Sequence, residues 1–267
     1  MKPDSQALLF AGNITRDVIV TQQEGLYVGW GGGALYGCLS ASQYVPRCGI
    51  LSRIGTDFPL KALAGRGLSI KGLEVVGGLS SLFYTNEQNG QAFFINAFSG
   101  DWSTRDVGQV QHLHVSCRRG IPIREIMKQV RASSRSCDVT SLSIGQLADE
   151  LAQILPEMTM VFCTRAEYLS IESCELVGRA KGDTLWVITD GPRRVVVRKE
   201  NREILSIQPP IIEQPYRETG AGDMLAGAVL GALVAGMCLH DALAQGIAVA
   251  QLGMKGEGVA KILAEFF

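Results

Sequence analysis

The chain has 267 residues, with 25 Lys and Arg against 26 Asp and Glu, for a formal charge of −1. That balance leaves no cationic footprint for nucleic acid, and basic runs go no further than pairs such as Arg118-Arg119 and Arg193-Arg194. Seven scattered cysteines without a CxxC exclude a disulfide framework and read as reduced packing residues of a cytoplasmic protein.

Met1–Ala7 is short and polar, unlike a secretory leader. Gln6–Ala11, an apolar run closed by Gly12, predicts a first buried strand, and Asp17–Val20 a second after a bend. Gly31–Gln43 turns to small and apolar residues at helical spacing, ended by Pro46. Cys48–Ile54 reads as a strand and Leu60–Gly67 as a helix. Leu82–Thr85 and Ala92–Ile95 are aromatic strands around Asn89-Gly90, a β-hairpin. No helix separates them, so a small separate sheet with Arg16–Val20 and Leu26–Trp30 is expected.

Beyond the hairpin, strands and helices alternate. Gln111–Ser116 precedes a helix over Ile123–Ala132, and Arg135–Val139 one over Ile144–Ile154. Thr159–Cys163 precedes Ala166–Gly178, then comes a strand at Leu185–Thr189. His112 and His114 alternate along one strand and read as a surface-facing pair rather than metal ligands. Val195–Lys199 and Glu203–Ile207 read as an edge hairpin, and helices follow from Gly222 and over Asp241–Gly253. The apolar run Met224–Leu239 has 16 residues, short of the ~20 that cross a bilayer, so no membrane span is expected. The alternation predicts an α/β fold with a largely parallel sheet covered by helices on both faces.

The most informative segment is Thr219-Gly220-Ala221-Gly222-Asp223 at the head of that apolar helix. Small residues free backbone N–H groups to face an anion where the helix dipole supplies roughly half a positive charge. A carboxylate beside such a cradle suits phosphoryl transfer to a hydroxyl: the amides spread the migrating charge and the carboxylate takes the proton. A tight loop with an acidic cap is the plainer reading of the same residues.

Order and spacing favour the first reading. Gly12–Asp17, Gly31-Gly32-Gly33-Ala34, Ser52–Phe58, Thr164-Arg165-Ala166-Glu167, Thr189-Asp190-Gly191 and Thr219–Asp223 follow one another along nearly the whole chain. In that order they resemble the motifs of the ribokinase-like (PfkB) family of small-molecule kinases. The resemblance implies a single domain over residues 1–267: a ribokinase-like three-layer α/β/α sandwich with a small β-sheet lid from about 15–30 and 80–98. It implies Asp223 as general base and the amides of Gly220, Ala221 and Gly222 as anion hole. Asn13, Asp17, Gly32, Gly33 and Tyr36 would face the acceptor, and Thr164, Thr189, Gly191, Thr219 and Gly222 the nucleotide. ATP and Mg²⁺ are the implied cofactors, the metal held through water by Glu167. The acceptor would be a sugar, an inositol-like polyol or a nucleoside, chosen by Asn13, Tyr36, Phe94, Asn96 and Trp102. With a reference pKa near 3.9, Asp223 is expected to be ionised at neutral pH. The lid would exclude water and supply a homodimer surface.

Three positions depart from the family pattern. Arg217 stands where an aspartate commonly helps bind a monovalent cation, which predicts activity independent of potassium. Tyr36 or Gly37 replaces a sugar-reading asparagine, and Thr164 the asparagine of Asn-x-x-Glu. A non-catalytic sugar or nucleoside binder on the same fold is the alternative these departures motivate. A dinucleotide-binding oxidoreductase is disfavoured, because Gly29-x-Gly31-x-x-Ala34 has no acidic residue between Gly25 and Thr56 to hold a ribose. No P-loop sequence occurs.

Overall fold

The computed structural model describes residues 6–23, 25–98, 102, 107–141, 144–200, 202–213 and 215–266. Strand β1 (Gln6–Ala11) lies in the interior of a nine-stranded sheet. Its alternate side chains serve both faces: Leu8 and Phe10 enter one hydrophobic core, Leu9 and Ala11 the other. Such two-sided burial is what a continuous apolar strand demands.

Two further strands, β2 (Thr15–Thr21) and β3 (Gly25–Gly31), leave this sheet for a smaller one, and helix α1 (Gly33–Ala41) returns to it. β4 (Cys48–Ile54), α2 (Leu60–Ala64) and β5 (Ser69–Val75) extend the large sheet on one side of β1. β6 (Ser81–Asn86) and β7 (Gln91–Ile95) form the expected hairpin. β6 pairs in parallel with β2, giving a small sheet of order β3-β2-β6-β7.

On the other side of β1 stand β8 (Gln109–Cys117), β9 (Arg131–Val139), β10 (Met160–Thr164) and β11 (Leu185–Thr189), all parallel. The antiparallel hairpin β12 (Val195–Lys199) and β13 (Arg202–Ile207) closes that edge. Helices α3 (Ile123–Gln129), α4 (Ala148–Ile154) and α5 (Arg165–Ser173) cover one face. α1 with α6 (Ala221–Val234), α7 (Leu239–Met254) and α8 (Val259–Ala264) covers the other. This is the three-layer α/β/α architecture.

The glycine- and alanine-rich composition of α6 has a packing cause. A Cβ at Gly227 would overlap the carbonyl of Gly37, and one at Gly231 would lie 2.8 Å from the carbonyl oxygen of Ala41. α1 and α6 therefore cross with backbones nearly touching. The apolar run is broken by the end of α6 at Val234 and by Gly236 with φ 94°, and among the described residues no helix is long and apolar enough to cross a membrane.

Several boundaries differ from the sequence reading. β5 and α8 were not expected, and β9 starts at Arg131 because α3 stops at Gln129. Helices expected over Leu60–Gly67, Ile144–Ile154 and Ala166–Gly178 shorten to α2, α4 and α5. Asn201, in the expected turn between β12 and β13, lies outside the described residues, as do Met1–Ser5. His112 and His114 are not a surface pair. Both are buried, at 6% and 3% exposure, because β8 is an interior strand covered on both faces.

Candidate active site

Residues following the C-terminal ends of the parallel strands, together with the start of α6, enclose a cleft, the usual place for a ligand in an open α/β sheet. At one end is a cavity of about 380 Å³ lined by Asn13, Asp17, Gly32, Gly33, Tyr36, Arg118, Gly220 and Asp223. Asp17 reaches it from β2, in a row of paired residues that continues through Phe83 to Phe94 on the inner face of the small sheet. Thr15 Oγ1 donates to Asp17 Oδ1 at 2.5 Å, and the Tyr36 hydroxyl approaches Oδ2 at 3.3 Å. Burial pushes the Asp17 carboxyl up to about 7, although these hydrogen bonds and the charge of Arg217 pull the other way. Asn13 Oδ1 is buried without a hydrogen-bond partner among the described residues. A buried acceptor of this kind is satisfied by a ligand hydroxyl or a water.

The double glycine brings three segments together. Gly32 has φ 99°, and a Cβ there would overlap the Asn13 carbonyl. A Cβ on Gly33 would stand 2.5 Å from Ser116 Oγ and 3.1 Å from Asp223 Oδ1. Both glycines thus have a steric reason within the chain as well as a place on the cavity wall.

Gly220 caps α6 in the left-handed conformation with φ 84°. The Ala221 N–H is used by the Glu218 carbonyl at 3.1 Å. A Cβ built on Gly222 meets no atom within 4 Å, so this position opens on the cleft. Ahead of it, Glu87 at the tip of the β6–β7 hairpin accepts the amides of Glu218 and Thr219 at 3.0 and 2.7 Å and the Thr219 hydroxyl at 2.5 Å. Thr219 lies on the wall of the cavity holding Asp17. Arg217 is 8% exposed and stacks 3.6 Å over the Tyr27 ring of β3.

Asp223, in the first turn of α6, has a side chain 19% exposed. Burial and the neighbouring Asp138 charge push its carboxyl up to about 7, against the pull of Arg118. Burial thus holds this carboxyl well above the reference value on which the expectation of full ionisation rested. Low-dielectric surroundings, not reference chemistry, set this group.

Asp223 also lines a second cavity of about 140 Å³, with Thr164, Glu167, Thr189 and Gly222. Thr164, Thr189 and Gly222 continue into a third, of about 410 Å³, which includes Gly191, Ala221, Pro192, Pro209, Pro210, Ile247 and Met254. The three cavities share walls and form one groove with Asp223 in its middle. Thr164 and Glu167 make a capping box at the start of α5: the Glu167 N–H donates to Thr164 Oγ1 at 3.2 Å and Glu167 Oε2 accepts the Thr164 amide at 2.7 Å. Glu167 Oε1 accepts the Ser141 amide at 2.9 Å. Each oxygen keeps a further lone pair. Among the described residues no group of three or more His, Cys, Asp or Glu is placed to hold a bare metal ion. A hydrated Mg²⁺ needs only one or two carboxylates plus phosphate oxygens, and Glu167 fits that requirement.

The sequence reading missed a buried polar cluster behind Asp223. Arg118 pairs with Asp138 at the end of β9, and His114 Nε2 lies 3.2 Å from Asp138 Oδ1. The signal was present as polar alternation in two strands: His112, His114 and Ser116 pair in register with Ser134, Ser136 and Asp138.

A family profile, that of the pfkB family carbohydrate kinases, matches residues 10–264. The chain belongs to that family. Among solved structures, a ribokinase from Cryptococcus neoformans var. grubii serotype A in complex with ADP superposes with TM-score 0.78 at 16% identity, covering 97% of each chain. An adenosine kinase from Sinorhizobium meliloti gives 0.77 at 15% identity, covering 98% of this chain and 99% of its own. A nucleoside kinase from Methanocaldococcus jannaschii gives 0.73 at 16%, covering 97% and 95%. These likenesses establish the ribokinase fold. No curated protein matches the sequence significantly.

Proposed function

We propose that this pfkB-family protein is an ATP-dependent kinase that phosphorylates one hydroxyl of a sugar, an inositol-like polyol or a nucleoside. The observation that carries the reading is the position of Asp223 on the wall common to two cavities. An acceptor bound at Asp17, Asn13 and Tyr36 meets a nucleotide bound along Thr164, Thr189 and Gly191 at that carboxyl. The acceptor oxygen attacks the γ-phosphorus, its proton passes to Asp223, and the bond from the γ-phosphorus to the bridging oxygen breaks to release ADP. The amides of Gly220 and Gly222 face the charge on the moving phosphoryl group at the helix start, while the Ala221 N–H is turned to the Glu218 carbonyl. Mg²⁺, when bound through water to Glu167, would draw charge from the phosphate oxygens.

The small sheet serves as a lid within a single kinase domain, its Phe83 and Phe94 closing over the acceptor so that water does not intercept the phosphoryl group. Its outer face carries Leu26, Val28 and Ile95 at 64%, 39% and 55% exposure, an apolar surface suited to a homodimer through the lid. The cysteines are unpaired, which fits a reducing cytoplasm.

The test is ADP release with ³¹P detection of a phosphomonoester over a panel of sugars, inositols and nucleosides. One acceptor class should be consumed with equal ADP release. Acceptor binding without turnover across the panel would favour the non-catalytic binder.

A further inference from the structure

The groove has one charged side chain on both sides of Asp223 that the kinase reading leaves without a task. Arg118, which immediately follows β8, lines the acceptor-side cavity and the 140 Å³ cavity alike. One of its nitrogens, Nη2, is shared: it pairs closely with Asp138 Oδ2 and lies 3.4 Å from Asp223 Oδ1. Asp138 is itself enclosed. It is 6% exposed at the end of β9, with His114 Nε2 3.2 Å from its other oxygen. His114 Nδ1 is fixed in turn by Ser136 Oγ at 2.8 Å, and Ser136 Oγ also meets His112 Nε2 at 2.7 Å. A chain of buried polar groups thus runs from the middle of β8 to the groove and ends on Asp223.

We propose that Arg118 is a positioning residue for Asp223, a guanidinium divided between two aspartates that decides how firmly the Asp223 carboxyl keeps its proton. Held by Asp138, it leaves Asp223 able to accept a proton. Drawn toward Asp223, it would hold that carboxyl ionised and weaken it as a base. The remaining groups facing Asp223 are Asp17 from β2 and the Tyr36 phenol from α1. Asp138 is held well below the ordinary carboxylate range by Arg118 and His114, against its own burial, so it is the anionic member of the pair. This inference rests on the kinase reading only for its consequence in turnover.

The test is therefore made first on the ligand-free protein. The Asp223 carboxyl is titrated by ¹³C NMR, its resonance assigned by its loss in Asp223→Asn. Arg118→Gln removes the nearby cation and should move the Asp223 midpoint up by about one pH unit, the low end for a charge at this range. Asp138→Asn removes a like charge and releases Arg118 toward Asp223, so it should move the midpoint down by a similar amount. Arg118→Lys, with the charge kept, is the control and should stay within about half a unit of the native protein; Arg118→Met, which also removes the charge, replaces Arg118→Gln if that variant does not fold. Opposite displacements in two folded variants support the proposal, since loosened packing would draw both toward the ordinary carboxylate value. Midpoints that stay put, or move the same way, overturn it. Where turnover is measurable, the acidic limb of kcat/KM should follow the same directions.

Discussion

The two ends of the groove are built from different chemistry. The acceptor end gathers Asp17, Tyr36, Asn13 and Arg118. The nucleotide end is walled by Pro192, Pro209, Pro210, Ile247 and Met254, with Glu218 the one acidic side chain among the described residues that line it. One end has buried hydrogen-bonding groups that reject an ill-fitting ligand by leaving partners unpaired, and the other offers shape and apolar area. On the proposed reading, substrate choice resides at the acceptor end.

Gly222 lines both cavities on the nucleotide side and a Cβ there would meet no atom within 4 Å, so Gly222→Val projects into the groove. Turnover should fall by about 10²–10³-fold, the scale of a lost anion-hole contact, because the added side chain keeps the phosphoryl group off the amide, with acceptor binding and melting temperature nearly unchanged. Equal losses in binding and turnover would instead signal misfolding.

At the other end, Asp17→Asn should lower kcat/KM for the acceptor by about 10- to 100-fold, the cost of a lost hydrogen bond to a charged group. The same substitution should raise stability above pH 7. The folded carboxyl titrates near 7 against an ordinary 3.8. Between those values the folded state holds a proton that the unfolded state has released, so stability falls as pH rises through that window and the loss is complete above it. Asparagine has no such penalty. A melting temperature at pH 8 below that of the native protein would break the contrast, because the acceptor end would then carry no burial cost at Asp17.

The smallest effect concerns Arg217. Its fixed charge is buried against Tyr27 and acts on Asp17. Replacing sodium or choline chloride with potassium chloride should leave the rate unchanged, and a large gain with potassium would contradict this.

Much of this was legible in the sequence. Strongly patterned strands such as Gln6–Ala11 and Cys48–Ile54 coincide with β1 and β4, and the aromatic hairpin foretold the small sheet. Thr219–Asp223 and Thr164–Glu167 are local motifs, readable from a few adjacent residues. Arg118, Asp138 and His114 are not local. They meet only because β8 and β9 are neighbours in register, a fact of tertiary pairing. The His112–His114 alternation suggested one wet face, which an interior strand of a covered sheet does not have. β5 carries charged residues at Lys71 and Glu74 and no clean alternation, so its strand character comes from pairing with β4.

The central claim is that the Asp223 carboxyl accepts the acceptor's proton as the γ-phosphoryl group moves. Asp223→Asn, which keeps size and removes the base, tests it most directly through single-turnover transfer with ATP bound. The account predicts normal nucleotide affinity and a transfer rate lower by at least ~10²-fold. Transfer at close to the native rate would contradict it.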